Sequence, residues 1–287
     1  MRRLVCVIRF KETGSNGTID QEMTTNVQEH HCSTWGEFRE VVEMSRGREG
    51  RVLWRGQADP SWPLASALER RVLRMYGGDK PGASQVYPYN NRYDGKFARH
   101  YFSGWQEKYA RAFKKASAGM RGQHPPTLEG FELLALGRHF GLVTRLLDWT
   151  ERPYIAAFFA LHDMLDRTPA ESRWTTPVAV YRLQYQPEML GDLLRLVEPN
   201  VDELPRMHRQ RGVFTILESD KYFEIEGFCR DSGRAAMLTR VILSDRAIRD
   251  GILDLVEHGI DHGLLFPDLG GAALAANLAV DLLEGLT

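Results

Sequence analysis

The segment from Arg138 to Thr150, with the sequence RHFGLVTRLLDWT, constrains the fold more than any other part of the chain. It places charged and polar side chains within an otherwise apolar stretch. Polar groups that lose their hydration in a core must bond to one another or to a ligand. We therefore expect either a buried polar network or a ligand site here. Alternation along a strand divides the segment into two faces, Arg145, Leu147 and Trp149 against Leu146, Asp148 and Thr150.

Two interpretations of this segment remain open. In the first, Asp148, Arg145 and Trp149 form a structural network, and Thr150 caps the apolar helix that follows. In the second, the hydroxyl of Thr150 or the imidazole of His139 meets a ligand, for example a phosphate at the N-terminus of that helix.

An arginine at the end of a short buried strand is the second unusual feature. It lies in the sequence VLWRGQ at 52–57. An arginine is rarely buried without a partner, and the adjacent Gly56 lets a ligand or a backbone segment approach closely. The guanidinium of Arg55 matches the geometry of a phosphate or a carboxylate. The alternative is an internal ion pair with an aspartate such as Asp148.

Two further groups of residues have side chains suited to catalysis or ligand binding. Each also has an ordinary structural interpretation. The run PRMHRQRGVFT at 205–215 contains Gln210 among basic residues, and it is either a phosphate-binding loop or a solvated charge run. Glu224 and Glu226 have the spacing that places two carboxylates on one face of a strand, where they can divide acid and base roles. Their alternative is an exposed strand edge.

Helical and strand patterns interleave along the chain, but the predicted strands are short and irregularly spaced. This favours an α+β fold, with a single domain built on a central mixed, mainly antiparallel sheet flanked by helices. Residues 1–32 are expected to be an N-terminal strand segment packed on the main domain at 33–287, which has a long loop at 76–95. Strands are predicted near 3–10, 25–30, 52–55, 144–149, 178–183, 206–217 and 236–243, and helices after a capping box at Thr34 and at 66–75, 96–117, 128–140, 154–165, 244–258 and 272–284.

Charge and composition narrow the function. The 287 residues carry a formal net charge of −1, so no overall field attracts nucleic acid or an anionic membrane. No apolar stretch reaches the ~20 residues of a membrane span. The three cysteines have neither a disulfide pattern nor metal-ligand spacing. We expect a cytoplasmic protein with no metal and no membrane partner.

The blocks described above resemble, in this order, the FRG domain family, which is named for a Phe-Arg-Gly motif. That motif has the form WRGQ at 54–57, and the family's central block is similar to HFGLVTRLLDWT at 139–150. Later blocks are similar to 210–215 and 259–269, so the resemblance covers about 33–275. It implies a component of a bacterial or phage defence or toxin-like system.

A further resemblance, to ADP-ribosyltransferases of the Arg–Ser–Glu type, implies a mechanism. In those enzymes an arginine holds a phosphate or the ribose of NAD, and a Ser/Thr strand supports the nicotinamide pocket. A late glutamate steadies the oxocarbenium-like transition state. The resemblance assigns Arg55 to the arginine and Thr150 to the Ser/Thr position.

The third motif of that resemblance lacks its glutamate. Gln210 and the pair Glu224 and Glu226 are the candidates for its place, and His139 is the residue that would replace a carboxylate. The resemblance implies NAD as co-substrate. The cofactor-binding residues that we expect are Arg55, Gly56, Gln57, Thr144 and Arg145.

Three functions therefore remain open. The first is an NAD-consuming, ADP-ribosyltransferase-like enzyme, either a transferase acting on an unknown protein or nucleic acid or an NAD glycohydrolase, with an inhibitor or antitoxin as its implied partner. The second is a nucleic-acid-acting or nucleic-acid-binding protein, based on the basic residues around Arg138 and 206–211. The third is a non-catalytic interaction module in which the polar block only holds the fold together.

Overall fold

The computed structural model describes residues 26–47, 49–77, 96–121, 127–169, 172–199, 205–219 and 222–284. The strand predicted at 3–10 and nearly all of the loop predicted at 76–95 lie outside these residues.

Within the described residues, seven strands form one sheet. Their bounds are β1 Gln28–Cys32, β2 Arg51–Gln57, β3 Leu147–Thr150, β4 Val178–Tyr185, β5 Leu194–Val197, β6 Gly212–Leu217 and β7 Leu238–Leu243. The order is β1-β7-β4-β2-β3-β6-β5, in which β1 and β7 are parallel and the other neighbours are antiparallel. The predicted α+β fold with a mixed, mainly antiparallel sheet flanked by helices is confirmed.

The helices cover both faces of this sheet. Their bounds are α1 Trp35–Glu43, α2 Ala67–Gly77, α3 Lys96–Ala116, α4 Gly130–His139, α5 Pro153–Arg167, α6 Pro187–Leu190, α7 Pro205–Arg209, α8 Ile225–Asp231, α9 Arg246–Glu257, α10 His262–Leu265 and α11 Leu269–Glu284. Helices α1, α5, α9, α10 and α11 share the largest apolar core with one face of the sheet. Helices α6 and α8 pack on a second core on the other face, and α4 packs beside β5 and β6.

The start of α1 shows why local sequence signals succeed. The hydroxyl of Thr34 accepts a hydrogen bond from the backbone N–H of Glu37 at 3.3 Å, and the Glu37 carboxylate accepts one from the N–H of Thr34 at 3.1 Å. Both partners of the predicted capping box are present, so the N–H groups of Thr34 and Glu37 are satisfied within four residues.

The strand predicted for Glu224 and Glu226 is wrong. The carboxylate of Glu224 accepts a hydrogen bond from the N–H of Gly227 at 2.8 Å and so caps α8, which contains Glu226. Three residues after an N-cap the chain has turned, and the two carboxylates no longer share a strand face. The short strand β5 and helix α8 had no predicted counterpart, because neither is long enough to show a clear period.

Helix α5 lies directly across β2 at Gly56. A Cβ atom at this position would lie 2.0 Å from the carbonyl oxygen of Ala156 and 2.7 Å from the nitrogen of Ala160. Only a residue without a side chain permits this approach, and it places the start of α5 beside the end of β2.

Gly56→Ala is expected to destabilise the fold by at least about 2 kcal/mol, because the new methyl group meets helix backbone that cannot rotate away. Chemical denaturation measures the free energy of unfolding. Gly104→Ala is the matched control, since nothing lies within 4 Å of its Cβ position in α3 and alanine favours a helix. Equal stability of the Gly56→Ala protein and the wild type would show that α5 does not rest on β2 in this way.

A buried histidine joins α5 to α10. The side chain of His262 is 1% exposed, and its ring centroid lies 3.9 Å from that of His162 and 5.1 Å from that of Phe158. Its Nδ1 has no hydrogen-bond partner among the residues that the structure describes. Burial, followed by the neighbouring His162, lowers the pKa of His262 to about 4.

The folded state should therefore lose stability as the pH falls from about 6.5 towards 4. Over this range His262 becomes protonated in the unfolded chain but stays neutral in the folded chain. The slope cannot exceed about 1.4 kcal/mol per pH unit. Urea titrations at a series of pH values measure it, and His262→Phe should flatten it. An unchanged slope in that variant would assign the effect to other groups.

Candidate functional site

The sheet opens between β2 and β3. These strands pair at a single position, Trp54 with Thr150, whereas β2 pairs with β4 along its whole length. A cavity of about 420 Å³ lies at this opening, a volume within the range of about 300–1,000 Å³ that is typical of small-molecule sites.

Four residues proposed as catalytic line this one cavity, although three separate elements and a loop supply them. Arg55 comes from β2, His139 from the end of α4, Thr150 from β3, and Gln210 from the residues before β6. The polar residues of the wall are Arg55, Arg138, His139, Asp148, Thr150, His162, Asp163, Arg206 and Gln210. Aromatic rings of Trp54, Trp149, Phe159, Phe214 and Phe266 complete it.

The side chain of Arg55 spans the opening. One terminal nitrogen donates to the backbone carbonyl of Asp148 at 2.8 Å and lies 3.7 Å from its carboxylate. The side chain is 15% exposed, and within the described ranges its buried Nε has no hydrogen-bond partner. Burial lowers the pKa of Arg55 to about 10, with Asp148 opposing the shift and Arg70 and Arg138 adding to it. The guanidinium is therefore still protonated at neutral pH.

Asp148 is held between two arginines. Its Oδ2 accepts hydrogen bonds from Arg138 at 2.8 and 3.3 Å, and the same oxygen is the one that lies 3.7 Å from Arg55. Burial opposes ionisation of this carboxyl, but Arg138 and Arg55 outweigh it and the pKa of Asp148 lies below its usual range. The side chain remains 40% exposed toward the cavity. One carboxylate between two guanidinium groups leaves a local positive charge, which suits an anionic ligand.

The predicted structural network of Asp148, Arg145 and Trp149 does not join Arg145 to Asp148. Arg145 is buried, with its Nε 3.5 Å from the carboxylate of Glu69, and it also donates to the carbonyl of Leu217. It precedes β3, so its side chain enters the core between α2 and β6 and does not reach the cavity. Thr144 and Gln57, both buried, are likewise absent from the cavity wall. Of the predicted cofactor contacts, Arg55 and Gly56 are the ones that line it.

Thr150 does not cap α5, contrary to one of the interpretations. The N-cap residue is Arg152, which makes no side-chain cap. The Thr150 hydroxyl donates to the carbonyl of Gln210 at 2.6 Å and accepts from the N–H of Arg152 at 3.1 Å. The amide of Gln210 in turn donates to the carbonyl of Leu265 at 3.2 Å. These bonds hold the wall together and leave the Thr150 hydroxyl little capacity for a ligand.

The ring of His139 packs edge-on against that of Phe140, with centroids 4.8 Å apart, and makes no hydrogen bond to another described residue. Burial lowers the pKa of His139, Arg206 lowers it further, and Asp268 opposes the shift. The imidazole is therefore neutral at pH 7 and can accept a proton.

Neither Glu224 nor Glu226 lines the cavity. Glu226 instead accepts a hydrogen bond from the hydroxyl of Tyr181 at 3.4 Å, and burial followed by the charge of Glu226 raises the pKa of Glu224 to about 7. Of the described residues in the wall, the carboxylates are Asp148 and Asp163.

Three wall residues on α5 escaped the sequence analysis. Phe159, His162 and Asp163 lie at spacings of three and four residues, which places them on one helical face. That spacing was a usable signal, but an apolar helix next to the polar block is more easily assigned to the core. All three become part of the wall because Gly56 brings α5 against β2.

Comparison with protein-family models supports the resemblance of the central blocks. Residues 50–168 match the FRG domain model. The chain contains an FRG domain. The matched stretch supplies Arg55, His139 and Thr150, whereas Gln210 lies beyond it. Neither the curated proteins nor the solved structures provide a match to this chain.

None of the helices in the described part of the chain is both long enough and apolar enough to span a membrane. No group of three or more His, Cys, Asp or Glu side chains among the described residues is arranged to hold a metal ion.

Asp148→Asn is expected to lower the free energy of unfolding by about 1–3 kcal/mol, because Arg55 and Arg138 then face each other without a counter-charge. This loss of stability is smaller than that caused by breaking a fully buried pair, which is about 3–5 kcal/mol, since solvent in the cavity screens the charges. The pKa of Asp148 is lowered in the folded state. The stabilisation is therefore present at pH values above the usual aspartate pKa, and it disappears in acid as the pH falls through the pKa of the folded state.

Chemical denaturation at pH 7 and in acid measures both effects. The control is Glu107→Gln, whose partner Arg111 lies 3.8 Å away on the surface of α3 and whose loss should change little. A variant at position 148 as stable as the wild type at pH 7 would contradict the network.

Proposed function

We propose that the cavity binds NAD and that the chain is an NAD-consuming enzyme of the ADP-ribosyltransferase type, a transferase or an NAD glycohydrolase, in a bacterial or phage defence or toxin system. One observation carries the proposal. Arg55, His139, Thr150 and Gln210, which are far apart in sequence, line one cavity that has a local positive charge.

The charges of the cavity wall support the binding of a dinucleotide. Arg206 pairs with Asp268 and Asp163 pairs with Arg167. This leaves Arg55 and Arg138 with Asp148, an excess of one positive charge before a ligand enters. Guanidinium groups bind phosphate oxygens through paired hydrogen bonds, and the buried Nε of Arg55 has no partner among the described residues. The aromatic rings of the wall suit a planar nicotinamide.

The same residues can support transfer of ADP-ribose. Cleavage of the bond between the ribose carbon and nicotinamide leaves positive charge on the sugar, while the bonding electrons depart with nicotinamide. The ionised carboxylate of Asp148 faces the cavity and would stabilise that charge, where Arg–Ser–Glu enzymes use glutamate. The neutral imidazole of His139 would accept the proton of the attacking water or target hydroxyl. Thr150 and Gln210 would shape the pocket through their mutual hydrogen bond.

The acceptor is a protein or nucleic acid still to be identified, and an inhibitor or antitoxin partner belongs to the same proposal. The nucleic-acid alternative is favoured by the exposed His208, Arg209 and Arg211, which adjoin the cavity residues Arg206 and Gln210. Binding to nucleic acid through these side chains would weaken steeply as the salt concentration rises.

We also propose that the functional unit spans about 33–287 and so exceeds the stretch that matches the family model. Strand β4, outside that stretch, pairs with all of β2, and β6 supplies the cavity wall beside Thr150. An isolated 50–168 segment would leave β2 without β4 and β3 without β6.

Incubation of the purified chain with NAD should release nicotinamide, with or without modification of added protein or nucleic acid, as measured by liquid chromatography and mass spectrometry. Arg55→Ala should reduce the rate about 100-fold or more, because it removes the cation that positions the phosphates. The control is Arg195→Ala, an arginine on β5 that is 48% exposed and pairs with Glu218.

Two results would contradict the proposal. The first is the absence of nicotinamide release and of any modified target across a broad set of acceptors. The second is full activity of a folded Arg55→Ala protein. If Arg55→Ala and Asp148→Asn lower only stability, the chain is the non-catalytic interaction module.

A further inference from the structure

A second cavity of about 180 Å³ adjoins the first at His162, which lines both. Helix α5, the turn at 172–176 and helix α11 enclose it. Its volume is smaller than that of a complete small-molecule site, which is about 300–1,000 Å³. It therefore suits one part of a larger ligand, of about the size of a single ring system.

The floor of the second cavity is apolar and its rim is polar. Leu165, Leu278 and Leu282 are buried at 8%, 6% and 6% exposure and form the floor, and the half-buried indole of Trp174 stands at its side. The rim carries polar side chains that are open to solvent, Asp166, Asn277 and Asp281.

This arrangement selects a flat ring that bears an amino group. Leucine side chains and an indole contact both the faces and the edge of a planar ring. Carboxylates at the rim accept hydrogen bonds but donate none, and an asparagine amide can pair with a ring nitrogen and an adjacent amino group at once. Adenine presents that combination, whereas hypoxanthine has a carbonyl in place of the amino group.

A cationic side chain is the competing occupant, because Asp166 and Asp281 would attract it. Arg173 lies in the same wall, where its Nε donates to the carbonyl of Thr168 at 3.3 Å, and its charge offsets one carboxylate. The leucine floor also has nothing to offer a charged head group. Both facts favour the neutral ring.

We propose that the second cavity is a base-binding subsite that holds the adenine of the nucleotide whose nicotinamide end lies in the first cavity. The assignment deepens the proposed function and rests on it. His162 then lies at the middle of the bound dinucleotide, and the first cavity alone need not enclose the whole ligand.

Calorimetric titration of the full chain tests the subsite with four probes: NAD, AMP, nicotinamide mononucleotide and nicotinamide hypoxanthine dinucleotide. Asn277→Leu and Asp281→Asn should each weaken NAD and AMP roughly tenfold, the effect of one lost hydrogen bond, without changing the affinity for nicotinamide mononucleotide. The hypoxanthine dinucleotide should bind the wild type about tenfold more weakly than NAD. Ala276→Leu, on the exposed side of α11 outside the wall, is the control.

Each outcome decides between the two proposals. If NAD binds and Arg55→Ala weakens it while Asn277→Leu and Asp281→Asn do not, the subsite is wrong and the proposed function stands. If AMP binds and both rim variants weaken it but NAD does not bind, the subsite stands and the proposed function fails. Binding of arginine methyl ester in place of AMP, lost in the same variants, would overturn the subsite in favour of a cationic side chain. If no probe binds, both proposals fail.

Discussion

The structure depends on the hydrogen bond from the Arg55 guanidinium to the backbone carbonyl of Asp148. Strands β2 and β3 separate beyond their single pair, and a gap in a sheet normally leaves unpaired carbonyl groups that are costly to bury. The arginine side chain replaces the missing strand hydrogen bond, so the sheet stays open without that cost.

Two charge networks with different roles lie on either side of β3. The side chains of Arg145 and Glu69 are 3% and 5% exposed, and burial raises the pKa of Glu69. This pair therefore has a large desolvation penalty, and its role is to fix the position of α2. Asp148, with Arg55 and Arg138, is open to the cavity and retains an ionised carboxylate. A charged group that binds a ligand has to remain partly solvated. Of these two networks, the one around Asp148 satisfies this condition.

Much of the fold and part of the site could be predicted from local patterns. The capping box of α1 and the proline that opens α5 involve neighbours in sequence, and both are present. The partner of Arg145 could not be predicted, because Glu69 is 76 residues away and both residues also had nearer candidates. The role of Glu224 was missed because a two-residue spacing fits both a strand and a helix cap.

By itself, the sequence determined the chemistry of the site: a guanidinium beside a glycine, and a polar block that must be satisfied within a core. It also determined the α+β class and the relation to the FRG domain, since both follow from local periodicity and contiguous motifs. Only the tertiary structure decided which charges pair, that Arg55, His139, Thr150 and Gln210 share one cavity, and that no glutamate lines the described part of its wall. Those outcomes depend on contacts between distant segments, whose free energies are set by packing and desolvation and leave no pattern along the chain.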